Sequence, residues 1–535
     1  MERNCNNMNF TSQIETAFSK IKNHFTGTQL TALIAVLVAG LVAHGYVLFN
    51  RISYHDNAAC LFSLGGTYES GRWVLGFIYD IQMMTTKLFS VPVFNGILSL
   101  IFIGYAAMLI VDMFQIKSKV AAAFIGAIMS VYPVVTSIFS FMFTAWEYFL
   151  ALLLAVLAAK ILLKSLSVKN FILSAVVLSL SLGIYQAFFA VTIAAFLVSL
   201  TLGVLKNEIT SIGEYAKRGF TYLAELVAGL GIWGVMRFIT QHIKGIEAVN
   251  YKGMDDGYSL ALLPNQIIKS LSAFFGFRQA GINALLYLRA FTALVVVVTI
   301  IQLVVMLVRS ENKIAVKIVS LVGLVFLPIG MNVVYLLSTS EEYHVDSLMV
   351  YGNIFVFLLP VFLIEMLDAQ EFKAGVIRSL TSIATWIQIL SLAVLTVGYI
   401  YLDNAAYMKA EIAEEQATAY YTELVANIKA TEGFSDDMEI VFVGWENLSD
   451  GTNAKVDPVD QLEAVQLEKY PRFTDIITYG GSRYFMQEHL GFGNDLLIED
   501  DGTYADSAEV QAMPTYPNDG SIAVIDGKVI VKLGE

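Results

Sequence analysis

The residues best suited to chemistry follow the first long apolar run, in a short polar segment that contains His55 and Asp56. A carboxylate such as Asp56 can remove a proton from a hydroxyl group while that hydroxyl attacks an activated carbon. The segment would lie at a membrane surface, at the depth of the head group of a lipid-linked sugar. We therefore predict that Asp56 is a catalytic base; the alternative is a loop acid that faces water or caps a helix.

A turn with an arginine follows in the same predicted loop, and it contains Glu69, Arg72 and Trp73. A guanidinium group stays charged and binds phosphate oxygens in pairs, which suits a phosphodiester leaving group. We predict that Arg72 and Glu69 contact substrate. The alternative for Arg72 is an arginine that extends its charge to the membrane surface beside an interfacial tryptophan.

Polar residues at the ends of apolar runs supply further candidates for substrate binding. Glu147 begins one run, where it could bind sugar hydroxyls or merely interact with the helix dipole. Tyr185 and Gln186 interrupt another run, where they could hold a sugar or satisfy backbone groups freed by the break. Arg278 is a second candidate for phosphate, and His344 lies in a later polar loop. The sequence has no Walker loop, zinc-protease helix or dinucleotide-binding turn.

The composition indicates that these residues belong to a membrane protein. Of 535 residues, 56% are hydrophobic and only 15% are charged. A soluble protein cannot bury so large an apolar fraction, so much of it must face lipid. Ten apolar runs emerge: Leu30–Phe49, Val91–Val111, Val120–Phe139, Phe143–Leu163, Phe171–Leu205, Phe220–Ile239, Ala290–Val308, Ile318–Leu337, Tyr351–Leu367 and Leu380–Leu402.

The distribution of basic residues fixes the number and the direction of the predicted spans. Dividing the long run 171–205 at its polar interruption gives about eleven transmembrane helices. All the basic clusters between runs then fall on one side, which the positive-inside rule makes cytoplasmic. We therefore predict a multi-pass membrane protein, with its N-terminus in the cytoplasm and its C-terminus outside.

The chain changes character after residue 402. Residues 407–429 continue the last run with helical spacing, residues 439–444 read as a buried strand, and Asp526-Gly527 joins two further strands as a hairpin turn. We predict a mainly α membrane domain over residues 1–402 and a small extracytoplasmic α/β domain over residues 403–535. The net charge of −13 argues against nucleic acid as a partner.

Four short motifs make the chain resemble the bacterial polytopic glucosyltransferases of the Gtr type II family, within the GT-C superfamily. They are His55-Asp56, Ser70-Gly71-Arg72-Trp73, Trp146-Glu147-Tyr148 and residues 182–187, which include Tyr185-Gln186. The motifs cover the first 200 residues, and the layout of spans extends the similarity to about residue 402.

This resemblance implies a GT-C-like enzyme of the bacterial cytoplasmic membrane. It would move a hexose, expected to be glucose, from a polyprenyl-phosphate carrier to a cell-envelope glycan on the outer face of that membrane. Asp56 maps to the superfamily's catalytic base, and the reaction would invert the anomeric carbon. Relatives often carry a second acid directly after the first, where this chain has Asn57. A divalent metal therefore lacks the support of a paired-carboxylate motif, and we assign no metal ligands or other cofactor.

Two other classes of function stay open at the level of sequence. A transporter or flippase for a lipid-linked sugar or polysaccharide would use the broken run as its binding site. A non-catalytic anchor would leave binding to the acidic C-terminal region. The nearly uncharged spans and the polar residues at the outer face favour the enzyme.

Overall fold

A computed structural model describes residues 10–12, 14–16, 19, 25–52, 56–247, 260–276, 285–337, 345–368, 376–444 and 481–534. Three of the predicted substrate-binding residues, His55, Arg278 and His344, lie outside this set. Helices dominate the part of the chain that is described.

The helices in chain order are α1 (Gly27–Phe49), α2 (Asp56–Ala59), α3 (Trp73–Thr85), α4 (Pro92–Met113), α5 (Lys119–Val131), α6 (Pro133–Phe139), α7 (Ala145–Lys164), α8 (Val168–Leu182), α9 (Phe189–Leu205), α10 (Ile212–Lys244), α11 (Leu263–Phe275), α12 (Leu286–Arg309), α13 (Ile314–Met331), α14 (Val334–Leu337), α15 (Phe355–Asp368), α16 (Val376–Ala430), α17 (Gly481–Leu490) and α18 (Ala508–Ala512). Four strands follow α16: β1 (Ile440–Val443), β2 (Leu497–Glu499), β3 (Ile522–Ile525) and β4 (Lys528–Lys532).

Eight helices in the described residues are long and apolar enough to cross a membrane, or nine if the bent pair α5–α6 forms one span. Two shorter apolar helices, Val168–Leu182 and Tyr351–Leu367, accompany them. The prediction of a mainly α polytopic protein is confirmed, while the number of about eleven spans stays a prediction. Many side chains of α10, α12 and α13 are exposed and apolar, as expected of helices that face lipid.

The break predicted in the run 171–205 is present. Helix α8 ends at Leu182 with Gly183 as its C-cap, and Tyr185 has an extended backbone (φ −152°, ψ 113°) before a short 3₁₀ turn leads into α9. A second break divides the run 120–139, where Tyr132 is also extended and Pro133 begins α6 at a 40° bend. A residue before proline disfavours the helical conformation, which explains this bend.

The C-terminal part agrees with the local predictions from sequence. Helix α16 runs unbroken through residue 402 to Ala430, and β1 is fully buried. The sheet order is β2-β1-β4-β3, with β1 parallel to β2 and β4, and β3 antiparallel to β4. Asp526 and Gly527 both have positive φ at the hairpin turn, as predicted from that dipeptide. The domain boundary at residue 402 remains a prediction.

Candidate active site

The loop before α3 is joined to the break after α8 by backbone hydrogen bonds. The N–H groups of Val74 and Leu75 donate to the carbonyl oxygen of Gly183, at 2.8 and 3.2 Å. The side chain of Gln186 donates to the carbonyl oxygen of Ser70 at 3.2 Å. The first N–H groups of a helix have no partner within that helix, so α3 satisfies two of them at the broken end of α8. Two motifs more than one hundred residues apart thus form one structure.

Glycine is required on both sides of this junction. A Cβ atom at Gly183 would lie 2.6 Å from Cγ2 of Val74, closer than real side chains approach. Gly71 has a φ of +75°, which L residues adopt at a cost, and a Cβ there would lie 3.0 Å from Cδ of Arg237. The close approach of these elements therefore requires residues without a side chain at positions 71 and 183.

Arg72 lies against a pair of stacked tyrosines at this junction. The rings of Tyr148 and Tyr185 are nearly parallel (6°), with centroids 4.0 Å apart. The guanidinium carbon of Arg72 lies 5.8 Å and 5.5 Å from the two centroids. Its Nη1 donates to the hydroxyl of Tyr148 at 3.1 Å and, more weakly, to the carbonyl of Gly66 at 3.4 Å. Both tyrosines are buried, so the charged group is held at a fixed position in an aromatic environment.

The C-terminal half of α10 holds the same loop from the other side. Trp233 donates its indole N–H to the carbonyl of Gly71 at 3.0 Å. The side chain of Gln241 donates to the carbonyl of Tyr68 at 2.8 Å. These bonds to backbone oxygens hold the loop on either side of Glu69. They therefore also fix the backbone position from which the side chain of Arg72 extends to the junction.

An ion pair links α10 to α3 beside this loop. Nζ of Lys244 lies 2.7 Å from Oδ2 of Asp80, and the hydroxyl of Tyr68 donates to the same oxygen at 2.8 Å. Partial burial alone would raise the pKa of Asp80, but the hydrogen bonds from Lys244 and Tyr68 lower it below the usual value. Burial, together with the bond to Asp80, raises the pKa of Tyr68. Asp80 is therefore ionised at neutral pH and holds α3 against α10.

Glu147 lies next to the tyrosine pair, at the start of α7. Its side chain is fully buried, and Gln82 of α3 donates to Oε1 at 3.2 Å. Within the described residues, Oε2 is buried and has no hydrogen-bond partner. A buried carboxyl oxygen without a partner is costly unless a ligand satisfies it. Glu147 therefore has an acceptor position open for a hydroxyl group.

Asp56 lies on the single-turn helix α2, and its side chain is exposed. Its neighbour Asn57 is buried: the amide donates to the carbonyl of Ile52 at 2.8 Å, and Oδ1 accepts from the hydroxyl of Ser90 at 3.2 Å. Asn57 thus joins α2 to the segment that precedes α4. Asn57, the residue directly after Asp56, therefore fixes the turn that carries Asp56.

The structure brings several of the predicted residues together. Arg72, Tyr185 and Gln186 meet at one junction with Glu147 beside it, and Asp56 lies on α2. Glu69 supports the loop itself, because its Oε1 accepts the N–H of Thr67 at 2.8 Å. The described residues contain no group of His, Cys, Asp or Glu arranged to hold a metal ion.

Sequence reasoning missed several residues that build the junction. Tyr148 directly follows Glu147 and was visible in the motif, but its partner Tyr185 is distant in the chain. Trp233 and Gln241 lie on one face of α10, at positions eight residues apart, and both meet the loop through backbone oxygens. Nothing local in the sequence indicated the loop that these two side chains would contact.

Comparison with known proteins identifies the family to which the chain belongs. A model of the family described as Glucosyl transferase GtrII matches residues 45–357, more than half of the chain. The matched range includes α2, the loop before α3, the start of α7 and the break after α8. Searches of curated proteins and of solved structures gave no significant match.

Proposed function

Since the chain belongs to the GtrII glucosyltransferase family, we propose that it transfers glucose from a polyprenyl-phosphate carrier to a cell-envelope glycan. The reaction takes place at the outer face of the cytoplasmic membrane and inverts the anomeric carbon. The observation that carries this proposal is Arg72, a fixed cation on the buried pair Tyr148–Tyr185, within the region that matches the family.

In the proposed reaction, Asp56 accepts the proton of the acceptor hydroxyl. The acceptor oxygen forms a bond to the anomeric carbon as the bond from that carbon to the phosphate oxygen breaks. The electron pair of the broken bond leaves with the polyprenyl phosphate. A positioned carboxylate contributes roughly 10²–10⁴-fold in such a proton transfer. The exposure of Asp56 suits a base that must reach a bulky glycan.

Arg72 would stabilise the charge that grows on the leaving phosphate. Its guanidinium is oriented by the hydroxyl of Tyr148 and by two ring faces, so little rearrangement is needed as the charge develops. Arg278, outside the described residues, stays our second candidate for this role.

The donor sugar would bind between Glu147 and the break after α8. Oε2 of Glu147 has an acceptor position for a sugar hydroxyl, and Tyr185 supplies an aromatic face. Gln186 and Glu69 would act mainly by holding the loop. His55 and His344 remain proposed substrate contacts.

The break after α8 also favours one second candidate, a flippase for the lipid-linked sugar. Broken helices in membrane transporters often form substrate sites. The two functions differ in their products, because a flippase moves the carrier across the bilayer without forming a glycosidic bond.

The test is made with the full chain in proteoliposomes and in membrane vesicles of the producing cell. Labelled polyprenyl-phosphate glucose is supplied, and the label is followed into envelope glycan in the vesicles and across the bilayer in the proteoliposomes. Label in the glycan with inverted linkage would support the transferase. Movement of the donor across the bilayer with no label in glycan would contradict it and favour the flippase.

A further inference from the structure

An apolar cavity of 390 Å³ lies between α11, α12, α13 and α15. Of the described residues that line it, only Thr299 is polar. The hydroxyl of Thr299 already has two partners, because it donates to the carbonyl of Val295 and accepts from the side chain of Gln388. An apolar cavity of about 150 Å³ in another protein stays dry and binds benzene. A cavity more than twice as large, with apolar walls, suits the hydrocarbon part of a ligand.

Buried hydrogen bonds fix the walls of this cavity. Asn332, directly after α13, and Asn353, just before α15, are both buried and exchange two side-chain hydrogen bonds, at 3.0 and 2.8 Å. The bond from Gln388 to Thr299, at 2.9 Å, joins α16 to α12. A shift of these helices into the cavity would break the bonds and leave buried polar groups without partners, which is costly. The space is therefore part of the fold.

The cavity opens to the lipid-facing surface of α12 and α13. Ile300 and Val304 of α12 and Val325 of α13 line the cavity, and their side chains are also exposed. On the amphipathic helix α11, Leu271 and Phe274 line the cavity as well. A hydrocarbon chain that lies in the bilayer can therefore enter from the side, without passing through water.

Two ring contacts separate the cavity from the junction that holds Arg72. Phe355 lines the cavity, and Tyr351 lies four residues before it in the chain. The ring of Tyr351 packs edge-on against Phe188 at 5.8 Å between centroids, and Phe188 packs in the same way against Tyr185 at 5.7 Å. Tyr185 is one of the two rings beside the guanidinium of Arg72. A long chain whose phosphate is held at Arg72 therefore reaches the cavity.

We propose that this cavity binds the isoprenoid chain of the sugar donor, while the donor phosphate lies at Arg72. This inference rests on the proposed function. Lipid is as apolar as the cavity walls, so the chain gains no hydrophobic free energy when it leaves the bilayer. It gains close packing against fixed walls instead. The bound phosphate also keeps the chain at a high effective concentration beside the cavity. A phospholipid chain lacks this tether, which favours the donor as the occupant.

The experiment compares long-chain polyprenyl-phosphate glucose with geranyl-phosphate glucose as donors, in membrane vesicles that contain the full chain. Val304→Phe fills part of the cavity. Val305→Phe is the matched control, because Val305 is the next residue of α12 and is about equally exposed (38%, against 40% for Val304). Val305 is not among the described residues that line the cavity.

For Val304→Phe we expect kcat/KM with the long-chain donor to fall about tenfold, because the added ring occupies the space of the chain. The geranyl donor should be unaffected, since its chain ends before the cavity. Val305→Phe should leave kcat/KM unchanged with both donors, and Val304→Ala, which keeps the cavity open, should retain the rate with the long chain. Equal losses with both donors in Val304→Phe, or no loss with either, would overturn the proposal.

A second measurement detects binding without transfer. Polyprenyl-phosphate glucose with a diazirine at the end of its chain is photolysed in proteoliposomes with the full protein, and the labelled peptides are mapped. Label on α12, α13 and α15 that the unlabelled donor displaces supports the proposal. Label on the same helices from a phosphatidylethanolamine with a diazirine in its acyl chain, undisplaced by the donor, would show bulk lipid in the cavity and overturn it. Absence of glucose transfer from either donor by the unchanged chain would instead refute the proposed function, whatever the labelling shows.

Discussion

Arg72 illustrates how one charged residue is positioned by groups from three elements. The loop supplies the residue, α7 supplies Tyr148 and the break after α8 supplies Tyr185. A guanidinium can stack on rings and donate a directed hydrogen bond at the same time, whereas an ammonium is a compact point charge. The sequence indicated Arg72 and Tyr185 separately, because each stood out as a polar residue beside an apolar run. It could not indicate their contact, which depends on the tertiary fold.

Replacing Arg72 by Ala should lower the rate of glucose transfer by about 10²–10³-fold, the usual effect of removing one donor to a developing negative charge. Arg72→Lys should restore only part of this loss, since lysine keeps the charge and loses the planar geometry. The measurement is transfer from labelled polyprenyl-phosphate glucose at saturating donor. Equal rates for Arg72→Lys and the unchanged chain would show that orientation by the tyrosines is unimportant.

Tyr148→Phe tests the hydrogen bond without removing the ring. A hydrogen bond to a charged group contributes about 1.5–3 kcal/mol, so transfer should fall by about tenfold or more. Tyr105→Phe, at an exposed tyrosine of α4, is the control and should leave transfer unchanged. Loss of transfer from both variants alike would point to a general effect of losing tyrosine hydroxyls, and not to Arg72.

At the scale of elements, the break after α8 was predictable because polar residues interrupt an apolar run. Pro133 is a sequence signal for the second bend. The run 120–139 is nevertheless predicted as one continuous span, because its apolar length is sufficient to cross a membrane. The docking of α3 on the break could not be predicted. It depends on the carbonyl of Gly183, and backbone acceptors leave no mark on the pattern of side chains.

Gly183→Ala should separate α3 from the break. The added Cβ would lie 2.6 Å from Val74 and 2.8 Å from the ring of Trp73, and overpacking of this kind costs about 1–3 kcal/mol. We expect a lower midpoint of thermal unfolding in detergent and weaker transfer. Gly231→Ala, inside α10 with no atom near the new Cβ, should be neutral or slightly stabilising. Similar unfolding midpoints for both variants would argue against a close junction.

At the scale of the whole molecule, basic clusters predict which side of the membrane each end of the chain occupies. Helix α16 continues unbroken from the predicted last span to Ala430, as the helical spacing of residues 407–429 predicted. That this extension lies in water stays a prediction. The contact of α17 with α2 lay beyond sequence analysis, because the two segments are separated by most of the chain.

The predicted sidedness can be measured with reporters fused to the C-terminus. An alkaline phosphatase, which folds only outside the cytoplasm, should be active there, and a cytoplasmic β-galactosidase should be inactive. The same pair fused after Lys119, at the first basic connection, should give the opposite result. A cytoplasmic C-terminus would place α17 and α2 on the wrong side for a carrier presented outside.

The most direct test of the account is the rate of glucose transfer by Asp56→Ala and Asp56→Asn in membrane vesicles with labelled polyprenyl-phosphate glucose. Asp495→Ala, at an exposed acid of the C-terminal part, serves as the control. The account predicts that both Asp56 variants lose about 10²–10⁴-fold in rate while the control keeps full activity and all three fold normally. Transfer by Asp56→Ala at the rate of the unchanged chain would contradict it.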